Sequence, residues 1–147
     1  MIVLGLGQPS AGDDAVGLAV VARLRGLGVA AELRTASCAT ALVEALGEGP
    51  VVLVDALVDG TVGAVRVLPA ARLEGAGAAS THGLSVPAAV GLAEALHGPV
   101  ELAVVGVTIA PPGPGVGLSA AVAAAVDPAA AAVRGLVEGG DVPRDPR

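Results

Sequence analysis

Apolar residues along this chain form two kinds of run, and their alternation predicts the fold. Short Val- and Leu-rich runs bounded by Gly, Pro or Asp predict strands at 2–6, 31–34, 51–57, 62–68 and 101–107. Longer alanine-rich stretches predict helices at 14–27, 40–46, 84–97 and 119–137. Strands that are almost entirely apolar and alternate with helices are typical of a parallel sheet covered on both faces.

One predicted strand breaks this alternation. The run 62–68 follows the third strand after the short segment VDGT, which leaves no room for a crossover helix, so we expect an antiparallel hairpin. Arg66, in the middle of this run, suits an edge strand. The sequence therefore predicts a three-layer, doubly wound α/β fold, in which a mostly parallel five-stranded sheet has one antiparallel edge strand and helices on both faces.

The length of 147 residues is that of one domain, and no repeat or second domain is visible. We expect a single α/β domain at 1–137 and a flexible, Pro- and Gly-rich C-terminal tail at 138–147. The mean hydropathy is high, +0.79, but the longest uncharged run, 102–126, is interrupted by PPGPG at 111–115. Its first part is strand-sized rather than membrane-sized. With no basic segment before the first strand, the sequence predicts a cytoplasmic protein without a membrane partner.

Composition removes several classes of function. The chain has no Phe, Tyr, Trp or Lys, and its net charge is −6, so we expect no nucleic-acid partner: base-stacking platforms are absent and a polyanion would be repelled. Without lysine there is neither a Schiff-base lysine nor a phosphate-loop lysine. The single cysteine, Cys38, excludes an internal disulfide and any multi-cysteine metal site.

Polar side chains that could carry chemistry follow the predicted strands. In an open α/β sheet, ligands bind beyond the carboxyl ends of the parallel strands. Asp13 and Asp14 follow the first strand, Asp55 lies near the end of the third, and His82 lies just before the third helix. Two carboxylates and one imidazole suit zinc, nickel, manganese or ferrous iron with open coordination positions. Asp14, Asp55 and His82 are therefore a candidate metal site.

Each of these residues also has a plainer interpretation. Asp13 or Asp14 could cap the first helix, where a carboxylate also complements the helix dipole. His82 could be an ordinary surface-loop residue. Asp55 interrupts a buried apolar strand, where a charge needs a partner, and this favours a functional interpretation.

Two rival sites are weaker. The segment GLGQPS resembles the start of a dinucleotide-binding fingerprint, but Ser10 stands at the third glycine position and no acidic residue ends the second strand. Cys38 and His82 could form a nucleophile–base pair at the same edge, although a lone cysteine among small residues is more often inert packing. His97 is followed by Gly98–Pro99, which is typical of a helix C-terminus rather than of a site.

Taken together and in order, five segments resemble the nickel–iron hydrogenase maturation endopeptidases. The segments are LGLGQPSAGDDAVG, SCATALVEAL, VVLVDALVDGTVGAVRVL, STHGLSVPAAVGLAEAL and VVGVTIAPPGPGVGLSAAVAAAV, and they cover nearly the whole chain. The departures are local: Asp14 stands where the family often has Glu, Gln8 where Asn is common, and SCAT where many members carry a DGGT-like turn.

The resemblance implies an activity, a partner and a site. Members of the family remove a short C-terminal extension from the hydrogenase large-subunit precursor once nickel has been installed. The implied metal-recognising and catalytic residues are Asp14, Asp55 and His82, at the positions that the strand-end argument also selects. The nickel would be carried by the substrate, although zinc or another divalent ion could occupy the site. We expect a metal-dependent or nickel-recognising endopeptidase that acts as a monomer; the alternatives are a non-catalytic module that recognises nickel or the precursor, and a nucleotide- or phosphate-binding domain.

Overall fold

In the computed structural model, which describes residues 1–58, 61–69, 84–140 and 142, helices cover both faces of a five-stranded sheet. The strands are β1 (Ile2–Leu6), β2 (Glu32–Ala36), β3 (Val51–Val58), β4 (Val65–Pro69) and β5 (Leu102–Ile109). The helices are a short 3-10 helix (Gly12–Ala15), α1 (Val16–Leu27), α2 (Thr40–Glu48), α3 (Val86–His97) and α4 (Ala120–Gly139). Every predicted strand and helix is present, and the predicted fold class is confirmed.

The strands lie in the order β2-β1-β3-β5-β4. The first four run parallel to one another, and β4 pairs antiparallel with β5. All residues of β5 are buried, as are those of β3 except Val58, whereas Arg66 and Val67 of β4 are exposed. The prediction that 62–68 supplies an antiparallel edge strand is therefore confirmed.

The predicted hairpin between the third and fourth strands is wrong, because β5 lies between them. Thr108 of β5, which is fully buried, fixes the connection: its carbonyl accepts from Gly63 N at 2.8 Å and its Oγ1 from Ala64 N at 2.8 Å. The six residues between Val58 and Val65, at about 3.3 Å each, can cross the roughly 10 Å that one intervening strand requires. The wholly apolar β5 thereby takes the interior position.

The two faces of the sheet carry separate apolar clusters. On one face, α1 and α4 pack against residues such as Val52, Val54 and Val105. On the other, α2 and α3 pack against residues such as Leu4 and Leu53. Because successive residues of a strand point to opposite faces, Asp55 faces the side of α2 and α3, together with Leu53.

Helix α4 is long and apolar enough to cross a membrane by length and composition alone. In this fold it instead packs on β5 and α1: Val122 and Val133 are buried in the core cluster, and Val126 and Val137 are partly buried against it. Its outer face carries Asp127, which pairs with Arg23 of α1 at 2.8 Å, and an Arg134–Glu138 pair at 3.4 Å. A helix that covers one face of the sheet accounts for this composition.

The predicted tail does not begin at residue 138. Helix α4 continues through Gly139, and Val142 beyond it is only 4% exposed and belongs to the core cluster of α1 and α4. The rest of the predicted tail, 141 and 143–147, lies outside the described residues.

Helix α1 approaches the sheet so closely that its second residue must be glycine. A Cβ on Gly17 would overlap the carbonyl oxygen of Leu6 and lie 2.6 Å from that of Val54. A Cβ on Gly5 of β1 would lie 2.5 Å from the carbonyl oxygen of Gly17. Backbone therefore meets backbone where α1 begins, directly beside the carboxyl ends of β1 and β3.

We expect Gly17→Ala to lower the free energy of unfolding by at least about 2 kcal/mol, because the new methyl group meets rigid backbone on two strands. Gly26→Ala, in the same helix, is the matched control, since a Cβ there meets nothing within 4 Å and should stabilise by up to about 1 kcal/mol. Urea unfolding of both variants measures the difference. Equal effects would mean that the close approach does not constrain the fold.

Candidate functional site

The candidate site lies at the carboxyl ends of the adjacent strands β1 and β3. After β1, the N–H of Gly7 still pairs with the carbonyl of Ala36 at the end of β2, at 3.1 Å. The chain then turns into the 3-10 helix. A Cβ on Gly7 would lie 2.5 Å from the carbonyl oxygen of Asp14, so this glycine lets the 3-10 helix fold back onto the strand end.

Asp14 is half-buried in the 3-10 helix, and one of its oxygens is held in place. Its Oδ2 accepts the backbone N–H of Gln8 at 3.0 Å. Among the described residues, no hydrogen bond to its Oδ1 is present. The prediction that Asp13 or Asp14 caps the first helix is wrong, since neither the 3-10 helix nor α1 receives a side-chain cap.

Asp55 is a buried carboxyl near the end of β3, with 9% of its surface exposed. Burial raises the pKa of Asp55 to about 7, because the charged form loses water. The N–H of Ala56, which donates to Oδ1 at 2.8 Å, opposes this rise, and the negative charge of Asp14 adds to it. The structure therefore brings Asp14 and Asp55 close enough for their charges to repel each other.

The donor set of these two residues suits a divalent cation. Both are carboxylates, each has one oxygen that accepts no hydrogen bond from the described residues, and oxygen ligands are those that hard and borderline divalent ions accept. A cation between them would offset their mutual repulsion and the cost of burying the Asp55 charge. Asp14 and Asp55 could thus supply two ligands.

His82, the third predicted ligand, lies outside the described residues. In the described parts of the chain, no group of three or more His, Cys, Asp and Glu side chains could hold a metal ion. The three-residue site therefore stays a prediction; of its members, Asp14 lies close enough to Asp55 for its charge to raise the pKa of Asp55.

Cys38 lies in the connection that follows β2, where the sequence placed it. The hydroxyl of Thr40 donates to its Sγ at 2.9 Å. The pKa of the Cys38 thiol is lowered, mainly by the hydrogen bond from the Thr40 hydroxyl. Backbone hydrogen bonds from Thr40, Leu84 and Ala39 lower it further, and desolvation opposes the change. The pairing of this thiol with His82 involves a residue outside the described ranges and stays a prediction.

His97 occupies the last position of α3, as predicted. Its ring packs against α2, since a Cβ on Gly47 would lie 2.7 Å from both Cε1 and Nε2 of the imidazole. This histidine has a packing role between two helices.

Two contacts at the site were not anticipated from the sequence. Gln8 reaches across the strand ends, with its backbone N–H on Asp14 and its side-chain amide donating to the carbonyl of Ser37 at 3.0 Å. Asp13 turns away from the helix that follows it and binds Ser119, the N-cap residue of α4. For the Asp13–Ser119 contact, the only signal in the sequence was the position of Ser119 directly before a long helix. Asp13 lies more than a hundred positions earlier in the chain.

Comparison with solved structures finds the same architecture over almost the entire chain. The NiFe hydrogenase maturation protease HycI from Thermococcus kodakarensis KOD1 superposes with a TM-score of 0.73 at 22% identity, covering 93% of this chain and 91% of that one. The NiFe hydrogenase maturation protease HybD from Thermococcus kodakarensis gives 0.73 at 20% identity, covering 92% and 97%. The hydrogenase maturating endopeptidase HybD from E. coli gives 0.67 at 24%, covering 95% and 93%.

The chain has the fold of the NiFe hydrogenase maturation proteases. The resemblance stated from the sequence motifs is thus confirmed at the level of the fold. No protein-family model and no curated protein sequence matches the chain. Within this fold, Asp14 lies in the 3-10 helix that follows β1 and Asp55 lies in β3, and their role as site residues stays a prediction.

The raised pKa of Asp55 makes a prediction about stability. The folded protein holds this proton up to about pH 7, whereas an aspartate with the ordinary pKa of 3.8 releases it earlier. The contribution of Asp55 to the free energy of unfolding is therefore greatest below about pH 4. It falls as the pH rises from about 4 through the folded-state pKa of about 7. Asp55→Asn removes the loss, so its stability relative to the unmodified protein should improve by about 2 to 3 kcal/mol between pH 5 and pH 8.

Urea unfolding in the presence of a chelator, at both pH values, measures this change. Asp127→Asn is the control, because the Asp127 side chain is 72% exposed and its effect should be similar at pH 5 and pH 8. A pH-independent effect of Asp55→Asn would contradict the burial of a protonated carboxyl.

Proposed function

We propose that this protein is a hydrogenase maturation endopeptidase, which removes the C-terminal extension of the nickel-loaded large-subunit precursor. The observation that carries the proposal is the pair of interacting carboxylates, Asp14 and Asp55, at the ends of neighbouring strands. It is supported by the shared fold, because the similar structures are maturation proteases over more than nine-tenths of this chain.

In this proposal the nickel belongs to the substrate. Asp14, Asp55 and His82 would recognise the metal, and two carboxylates with one imidazole form a weaker permanent site than one rich in thiolates. When bound, the ion can polarise the scissile carbonyl or lower the pKa of an attacking water. This arrangement would make the protein specific for a nickel-loaded precursor, because the two carboxylates would bind only a substrate that carries a cation.

The chain's own groups supply the remaining chemistry. If Asp55 does not itself bind the ion, its pKa of about 7 lets it take and release a proton at neutral pH, as a general base for the attacking water must; as a metal ligand it would instead stay ionised. Asp14, fixed through Gln8, keeps beside Asp55 an oxygen that accepts no hydrogen bond from the described residues. Peptide hydrolysis needs only water as co-reactant: the water oxygen bonds to the scissile carbonyl carbon, the C–N bond breaks, and the proton taken from the water by the general base passes to the leaving amine. We include in the proposal that the protein acts as a cytoplasmic monomer.

The test is the intact mass of a nickel-loaded, tail-bearing precursor from the same source after incubation with the protein. The unmodified protein should release one C-terminal peptide. We expect Asp55→Asn and His82→Ala to slow its release by at least about a hundredfold, the scale on which acid–base groups contribute. Asp127→Asn, which removes an exposed carboxylate that pairs with Arg23, should cleave at the unmodified rate.

The other outcomes separate the alternatives. Cleavage at full rate by both Asp55→Asn and His82→Ala would retain the activity and reject this site. Binding of the precursor without release of a peptide, with the unmodified protein and a competent precursor, would reject the peptidase in favour of a recognition module.

A further inference from the structure

Asp13 makes two short hydrogen bonds to a residue far away in the sequence. Its Oδ1 accepts the backbone N–H of Ser119 at 2.6 Å, and its Oδ2 accepts the Ser119 hydroxyl at 2.8 Å. Bonds to an ionised carboxylate are roughly twice as strong as neutral ones. The carboxylate also lies at the N-terminal end of α4, where the helix dipole favours negative charge.

Ser119 is the N-cap residue of α4, yet its hydroxyl does not cap its own helix. A serine at this position usually accepts a bond from an N–H of the first helical turn. Here the hydroxyl donates to Asp13 instead, so the local cap has been exchanged for a bond between distant segments.

A second tie joins the same two segments. The N–H of Gly12 donates to the carbonyl of Gly115, and the N–H of Gly115 donates to the carbonyl of Ser10, each at 3.0 Å. Together these contacts fasten the 3-10 helix to the connection between β5 and α4.

Apart from these contacts, the 3-10 helix is held by the packing of Gly7 against Asp14 and by α1, which follows it directly. None of its residues is buried, and it has no side-chain cap. Because its residues are only partly buried, its place over the strand ends depends on polar contacts as well as on its continuity with α1. Asp14, the neighbour of Asp13, lies in this helix, so whatever fixes the helix also fixes that carboxylate relative to Asp55.

We propose that Asp13 is a positioning residue for the reaction: by binding Ser119 at the start of α4, it anchors the 3-10 helix and holds Asp14 in place beside Asp55. The inference rests on the proposed function for its kinetic consequence. The anchoring itself concerns the position of the Asp14 carboxylate and can be measured without any substrate.

The decisive variant separates anchoring from helix capping. Asp13→Ala removes both bonds and should destabilise the protein. Adding Ser119→Asp to Asp13→Ala gives α4 a carboxylate cap of its own, without restoring the tie to the 3-10 helix. We expect the double variant to regain the melting temperature of the unmodified protein to within about 2 °C. Its kcat on the precursor should nonetheless stay at least about tenfold low, with KM changed by less than about twofold, since misplacement of a reacting group acts on the chemical step.

Hydrogen exchange of the Gln8 amide gives a readout without precursor or metal. This N–H donates to Asp14 Oδ2, so it reports whether Asp14 is in place. The Leu4 amide, in the middle of β1, is the internal reference for global opening. We expect Asp13→Ala, alone or with Ser119→Asp, to speed exchange at Gln8 by about tenfold more than at Leu4, and Asp127→Asn to change neither.

Each result decides the matter. Exchange that accelerates equally at Gln8 and Leu4 in the Asp13 variants would show a merely structural role and overturn the inference, and so would recovery of kcat together with stability in the double variant. If the unmodified protein cleaves no precursor, the proposed function fails, while selective exchange at Gln8 would still establish that Asp13 positions Asp14.

Discussion

The contact of backbone with backbone at the start of α1 sets the geometry on which the site depends. Gly5 and Gly17 let the helix lie against β1 and β3 without an intervening side chain, and Gly7 lets the 3-10 helix fold back over the strand end. A core built only from small aliphatic side chains permits this approach, because no aromatic ring separates the layers. The segment that carries Asp13 and Asp14 is thereby placed beside the end of β3, where Asp55 emerges.

The buried carboxyl of Asp55, beside Asp14, is electrostatically unfavourable in its charged form. Asp55 lies in the apolar strand β3, which is flanked by the apolar strands β1 and β5. Burial is the main effect that disfavours its charged form, and the negative charge of Asp14 adds to it. The Ala56 N–H compensates only in part. A carboxyl kept for stability alone would be replaced with advantage by an apolar residue of similar volume. In the proposed function the pair supplies two acids, of which Asp55 lies where water is largely excluded.

The sequence predicted whatever depends on local patterns and on the rules of strand order. The apolar runs located the five strands and the four α-helices, though not the separate 3-10 helix. The strand-end rule selected Asp14 and Asp55, because Asp14 lies in the segment that follows β1 and Asp55 lies in the C-terminal half of β3. It did not predict that β5 separates β3 from β4, since the bonds of Gly63 and Ala64 to Thr108 join segments far apart in the chain. The same holds for Asp13 and Ser119. Such contacts between distant segments depend on the tertiary structure, and local sequence patterns do not identify the two partners.

In the proposed function, the site alternates between empty and metal-bound states, and a buried acid with a pKa near neutrality suits that alternation. Between substrates, a proton on Asp55 removes the repulsion from Asp14 and keeps the folded state stable. On arrival of a substrate-borne cation, that proton must leave, because only the ionised carboxylate is a good ligand. In the proposed reaction the proton and the cation would therefore compete for one carboxyl, and the pKa of about 7 in the metal-free protein means that the proton is readily displaced at neutral pH. In the proposed reaction, a carboxyl with an ordinary pKa would leave two unneutralised charges in the empty site, whereas one with a much higher pKa would not yield to the metal.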